Sequence, residues 1–323
     1  MSHTPPSPLN TPRFAGHVSM FRVPIAATPE GLDIALCGIP FDSGTLGRNG
    51  SRLGPRAVRD VSMQAIRPVH PLNNQSPFED CRVADVGDAA SNPLDILQAM
   101  DQITDFFAAI HGAGALPLAI GGDHLVTLPV LRALAKDRPL GLVHFDSHTD
   151  TYEGFYGQRY NNGTTFRRAV EEGLIDPKRS IQIGIRGPRF GKEDLAFSLA
   201  SGMRVITIDE FFELGTAGVI AEIRRVATGP CYVSFDVDGI DAVYVPGTGA
   251  PEIGGYTPRD AQVMIRGMKG LDIVGADVVE ISPALDPTDG TARVAANMAF
   301  ELLEVMVDRH RRRQAASNIS FQA

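Results

Sequence analysis

A chain of 323 residues, 43% hydrophobic and 21% charged, carries enough apolar content for one large α/β core. Its formal net charge of −8 argues against a nucleic-acid binder, which carries a basic face, and no apolar run approaches the roughly 18 residues of a membrane span. Three widely spaced cysteines, Cys37, Cys81 and Cys231, make no CxxC pair and read as reduced core thiols of a cytoplasmic protein.

The first segment, "MSHTPPSPLNTPRF", is polar and proline-rich, lacks the apolar core of a signal peptide, and is expected to be a flexible arm over 1–14. A strand is predicted at 33–39. The Gly- and Arg-rich stretch 38–59, "GIPFDSGTLGRNGSRLGPRAVR", follows it as a long structured loop entering a helix over 55–64, with Pro55 in its first turn. Long loops at strand carboxyl ends usually carry function. A strand at 81–87 and a helix at 93–112 come next. The strand at 115–121 runs into "GGDH", followed by a helix at 125–135. The strand at 141–145 runs into "FDSHTD", followed by a helix at 164–173. Strands at 180–186 and 204–208 alternate with helices at 192–201 and 209–226. The strand at 231–235 runs into "FDVD", a helix covers 258–268, the strand at 271–280 ends in "VVE", and a helix covers 290–312.

Short apolar strands alternating with amphipathic helices imply one mostly parallel sheet covered on both faces, a three-layer α/β/α architecture. Neither a linker nor an internal repeat interrupts the chain between 15 and 312. One domain over 15–313 is therefore expected, with a weakly helical tail over 314–323. The basic run "RHRRR" at 309–313 complements the dipole at a helix C-terminus.

Three of these strands end in ligand-type side chains: His124 in the first, Asp146, His148 and Asp150 in the second, Asp236 and Asp238 in the third. Residues i, i+2 and i+4 share one face of a strand, and carboxyl ends of parallel strands open on one edge of the sheet. Taken alone, His124 reads as a core histidine and any one Asp as a turn residue. Six such residues in three matched contexts read differently. Four converging carboxylates repel one another unless cations neutralise them. Two divalent ions balance that charge, and six ligands suit two ions sharing bridging carboxylates. Oxygen-rich ligands with one imidazole per ion and no thiolate favour Mn²⁺, with Ni²⁺, Co²⁺ and Zn²⁺ able to bind. Such a pair acidifies a bridging water and holds it as a nucleophile.

The segments "GGDH", "DSHTD" and "SFDVDGIDAVYVPGTGAPEIGG" resemble the signatures of the ureohydrolases, and "GIPFDSGTLGRNGSRLGPRAVR" with "FRRAVEEGLIDP" resembles their agmatinase and guanidino-acid branch. The resemblance spans about 13–308. It implies the arginase/deacetylase fold with an eight-stranded parallel sheet, trimers or hexamers, two Mn²⁺ or Ni²⁺ ions, and hydrolysis of a guanidinium C–N bond. It also implies that the six residues named above are the metal ligands, that Asp150 takes the proton of the bridging water, and that Glu280 holds the guanidinium. Gly121, Gly122 and Asp123 are expected to shape the turn and orient His124.

The chain departs from the usual pattern at Ser147, Ala242 and Ala250, and above all at Asn162, where many relatives have a histidine that shuttles a proton to the leaving amine. Asparagine carries no proton at neutral pH. Tyr152, Glu153, Tyr156 or a water are the candidate replacements. An aromatic group, Tyr152, Phe155, Tyr156 and Tyr160, precedes Asn162 and suits a methylated cation through cation–π contact. Asn162, Tyr152 and Tyr156 are therefore candidate substrate contacts, and metformin or dimethylguanidine a candidate substrate. An ordinary guanidino substrate, as in agmatinase, guanidinobutyrase or guanidinopropionase, is the alternative, with Arg48, Arg52 or Arg159 as partners for a substrate carboxylate. A non-catalytic subunit of a hetero-oligomer is the alternative of another class. The other histidines, His144 among them, are set aside as distant in sequence from Asn162.

Overall fold

The computed structural model describes residues 4–320. Residues 1–3 of the expected arm and 321–323 of the expected tail lie outside the described residues. Eight strands form one sheet: β1 (Ile34–Gly38), β2 (Val83–Asp88), β3 (Leu116–Ile120), β4 (Leu140–Phe145), β5 (Ile175–Ile185), β6 (Arg204–Thr207), β7 (Pro230–Asp236) and β8 (Asp272–Val279). Every pair in it is parallel, in the order β2-β1-β3-β8-β7-β4-β5-β6. All eight predicted strands are present because each is built on a short, mostly buried apolar run.

The helices are α1 (Gly54–Ala65), α2 (Pro77–Asp80), α3 (Ile96–Gly112), α4 (Thr127–Leu134), α5 (Thr165–Glu171), α6 (Ala196–Ser201), α7 (Ile208–Val226), α8 (Pro258–Gly267) and α9 (Gly290–Ser320). They cover both faces of the sheet. On one face Val143, Phe145, Val233 and Phe235 bury against apolar residues of α7, α8 and α9, among them Val219, Ile265 and Leu303. On the other, Leu142, Tyr232 and Val279 bury with Phe107, Leu131 and Phe166 of α3, α4 and α5. Among the described residues no helix is long and apolar enough to cross a membrane.

The elements differ from the sequence reading in several places. The short α2 has no apolar period to announce it. β5 begins at Ile175 rather than 180, because its polar start pairs through a register shift between Leu140 and Leu142 of β4. α7 is broken at Gly215, whose φ of 62° leaves the helical region. The last helix runs on to Ser320 instead of ending at 312.

Candidate metal centre

The centre of the sheet is the row β3, β8, β7, β4, and all four strands end at one rim. β3 and β7 are not neighbours; β8 lies between them, and it delivers Glu280. Gly122 lets the turn after β3 pass close to the loop after β1: a Cβ there would stand 1.6 Å from the Phe41 carbonyl oxygen. The turn then starts a short 3-10 segment at His124. Asp123, expected to orient His124, instead accepts the Gly44 N–H at 2.7 Å and the Leu125 N–H at 3.1 Å, so it ties the long loop to the turn.

The six ligand-type residues come together. His124 Nδ1 lies 3.1 Å from an oxygen of each of Asp146, Asp150 and Asp236. His148 Nδ1 lies 3.1 Å from Asp238 Oδ2 and 3.4 Å from Asp146 Oδ1. Asp146 therefore faces both imidazoles, one oxygen to each. Ser147 donates to Asp238 Oδ1 at 2.8 Å, so the serine that replaces the usual alanine holds a carboxylate of the centre. Asp150 and Glu280 both have positive φ, 51° and 63°. Such strain in non-glycine residues concentrates where function over-determines the backbone.

The electrostatics point to missing positive charge. Burial, then the neighbouring Asp238 and Asp146, push Asp236 well above the usual carboxylate range; burial and Asp146 raise Asp150. Burial opposes a charged His124, yet the carboxylates around it raise its pKa strongly, and the same balance holds for His148. His124 Nδ1 is buried and makes no hydrogen bond, an orphaned nitrogen ringed by carboxylate oxygens. That donor set fits divalent ions.

Beneath this layer runs a second polar row, of which the sequence reading considered only His144 and set it aside. Gln182, His144, Ser234 and Asp277 are register partners across β5, β4, β7 and β8, and all four are fully buried. Ser234 Oγ lies 2.9 Å from His124 Nε2 and donates to Asp277 Oδ1 at 2.7 Å. Thr127 and Tyr232 donate to the other Asp277 oxygen. His144 could have been found: it begins the same alternate series as Asp146, His148 and Asp150. Asp277 and Ser234 lack such a signal, because only strand register aligns them.

A cavity opens over the centre, lined by His148, Asp150, Asp236, Asp238, Glu280, Asn162, Tyr152, Phe155, Phe190 and the loop residues Thr45 to Gly47. Burial raises Glu280 to about 7 against the His124 N–H that it accepts at 2.9 Å. Asn162 donates to the same Glu280 oxygen at 3.1 Å. Tyr152, Phe155 and Phe190 form an edge-to-face aromatic trio with centroids 5.0–5.7 Å apart. Tyr156 does not join it: at 91% exposure it lies outside the cavity lining, and Phe190 takes the place expected of it. Glu153 turns outward to Arg167 and Arg168, and the Tyr152 hydroxyl donates to Asp194 at 2.9 Å. None of the three candidate arginines lines the cavity. Arg48 bonds the carbonyls of Thr248 and Gly249, Arg52 pairs with Asp42, and Arg159 pairs with Glu171.

Residues 32–304 match the model of the arginase family. The chain is 50% identical over 313 residues to the guanidinopropionase of Pseudomonas aeruginosa, covering 95% of this chain and 98% of that one. It is 44% identical to the guanidinobutyrase of the same organism, covering 94% and 97%. Its fold is similar to the solved structure of proclavaminate amidinohydrolase from Streptomyces clavuligerus, with a TM-score of 0.89, 38% identity, and coverage of 93% and 100%.

Proposed function

The chain belongs to the arginase family, and on that premise we propose that it hydrolyses a C–N bond of a guanidino compound at a two-ion centre, releasing urea or a urea derivative and an amine. The ligands are His124, Asp146, His148, Asp150, Asp236 and Asp238. The observation that carries this reading is the buried His124 Nδ1 among three carboxylate oxygens, two of whose residues, Asp150 and Asp236, line a cavity that Glu280 also lines. Two divalent ions, Mn²⁺ or Ni²⁺, supply the positive charge and an acidified water when bound.

The chain's own groups do the rest. Glu280 is the anion that orients a guanidinium, a planar cation with paired N–H donors. Asn162 holds that carboxylate in place. As a C–O bond forms between the water oxygen and the guanidinium carbon, Asp150 would accept the water's proton and return it to the leaving nitrogen, which departs as the amine when the C–N bond breaks. The substituent on the leaving nitrogen faces Tyr152, Phe155 and Phe190, with no Arg or Lys in the lining. Such a wall favours a methylated cation over a carboxylate, so dimethylguanidine or metformin is the preferred substrate in this reading. The 50% identity to a guanidinopropionase favours the second reading, an ordinary guanidino acid. A silent subunit is disfavoured, because it has no use for costly converging carboxylates. The three cysteines are free and buried, which suits a reducing compartment such as the cytoplasm.

The test is metal analysis of the purified chain with urea and amine release measured on a panel of guanidino compounds, metformin and dimethylguanidine included, each with Mn²⁺ and with Ni²⁺. Asp236→Asn and His148→Ala are expected to lose turnover while staying folded. Near-full activity in either would refute the ligand assignment. A substrate profile led by carboxylate-bearing compounds would establish the second reading.

A further inference from the structure

His144 has its imidazole fixed by contacts that leave one arrangement of protons. The Thr149 carbonyl can only accept, so the Gln182 side-chain atom 2.7 Å from it is the amide nitrogen. The same nitrogen lies 3.0 Å from His144 Nδ1 and donates its second proton there. The ring proton therefore stands on Nε2, 2.7 Å from Asp146 Oδ2. Phe166, with ring centroids 4.2 Å apart, closes on the imidazole, and both residues are fully buried, which leaves no path for water to replace that bond.

The oxygen so held is the one facing His124, at 3.1 Å. The other oxygen of Asp146 is held differently: it accepts the His148 backbone N–H at 2.6 Å and faces the His148 ring. One carboxylate thus serves both sides of the centre, and each of its oxygens has its own hydrogen-bond donor. His144 touches only the His124 side.

We propose that His144, locked in one tautomer by Gln182, is a positioning residue that sets the affinity of the His124-side ion and leaves the His148-side ion alone. This rests on the two-ion reading. The clamp aims one lone pair of Asp146 Oδ2 at the ion position by occupying the other. Donors that orient a ligating carboxylate typically carry about 10–100-fold in metal affinity. The two ions therefore respond separately to changes deep in the sheet.

The experiment is calorimetric titration of Mn²⁺ into the metal-free full chain, for the wild type, His144→Phe, His144→Gln and Gln182→Leu, with thermal melts of each metal-free variant. The wild type is expected to take two ions. His144→Phe should weaken one of them about 10–100-fold and leave the other unchanged. His144→Gln, whose amide reaches the Nε2 position, should recover part of the loss. Gln182→Leu should weaken the same ion by less, and it keeps the test open if His144→Phe does not fold. Anomalous scattering from crystals of the weakened variants at limiting Mn²⁺ should show the deficit beside His124. Folded variants in which both ions weaken equally, or neither does, overturn the clamp while the two-ion centre stands. A wild type that binds fewer than two ions overturns the centre itself.

Discussion

Asn162, at the position where the sequence resemblance leads one to expect a proton carrier, acts as a strap. Its Nδ2 donates to Glu280 at 3.1 Å, its Oδ1 accepts the Leu46 N–H at 3.2 Å, and its own N–H reaches the Gly44 carbonyl at 3.0 Å. One side chain thus couples the loop after β1 to the carboxylate proposed for the guanidinium. Asn162→His exchanges that strap for an imidazole able to protonate a leaving amine. General acid catalysis contributes about 10²–10⁴-fold where it operates, so the kcat/KM ratio of guanidinopropionate to dimethylguanidine is expected to rise by up to about a hundredfold. An unchanged ratio would show that protonation at this position does not govern substrate choice. The residue itself was legible as a departure from the family pattern. Its two partners were not, since Leu46 and Glu280 are 116 and 118 positions away and only the fold brings them together. Tyr156 was misplaced for a related reason. Aromatic residues close in sequence share a loop, but its positive φ of 52° and exposure carry it away from the cavity.

At the scale of elements, the strands were readable and the way they meet was not. Two of the three ligand-bearing strands, β4 and β7, declare themselves by an apolar run followed by alternate polar residues, and β3 by an apolar run ending in "GGDH", so the rim was visible before the fold. Strand order was not, and order is what puts β8 and Glu280 between the His124 turn and the β7 carboxylates. Helix C-terminal ends were the least legible, as at α9, which starts at 290 as read but runs on to Ser320. Its start is set by Asp286, which accepts the Thr291 N–H at 2.7 Å, the Thr291 hydroxyl at 2.7 Å and the Thr288 N–H at 2.9 Å. Thr291 in turn accepts the Gly247 N–H at 2.9 Å, joining the loop after β7 to the helix. Burial resists ionisation of Asp286, but these donors outweigh it and lower the carboxyl to about 2. A depressed pKa contributes stability above the unfolded value of 3.8 and loses it as pH falls through about 2. The corresponding gain at neutral pH is on the order of 2 kcal/mol. Asp286→Asn should therefore destabilise the protein by about 1–2 kcal/mol in urea unfolding at pH 7, with the gap to the wild type closing towards pH 2. A gap that holds constant with pH would mean that the carboxylate charge contributes nothing.

The molecule as a whole concentrates acid at one rim. Asp146, Asp150, Asp236, Asp238, Glu280 and Asp123 are all buried there, in a chain already at net charge −8. Without ions the rim is held by protons, and the direction of its pH response follows. Asp150, Asp236 and Glu280 have raised pKa values, so their contribution is present below the unfolded value and is lost as pH rises through the folded one. His124 and His148 are also raised, and their contribution is likewise present at low pH and lost on the way up. Asp146 is lowered by His144, His124 and His148 against its burial, and so adds no slope above the unfolded value of 3.8. The titrations that act near neutrality thus share one sign. Metal-free protein should melt at progressively lower temperature from pH 5 to pH 8. Divalent ions replace those protons and remove the slope, since ligands must be deprotonated to bind. An ion present at about 1,000 times its Kd adds about 4 kcal/mol, and about 2 °C accompanies each kcal/mol in a chain of this size. Mn²⁺ should therefore raise the melting temperature of the chelated protein by roughly 5–10 °C at pH 8 and by much less at pH 5. Equal melting temperatures with and without metal at pH 8 would mean that the buried carboxylates are neutralised by something other than cations, and the chemistry built on them would fail with that result.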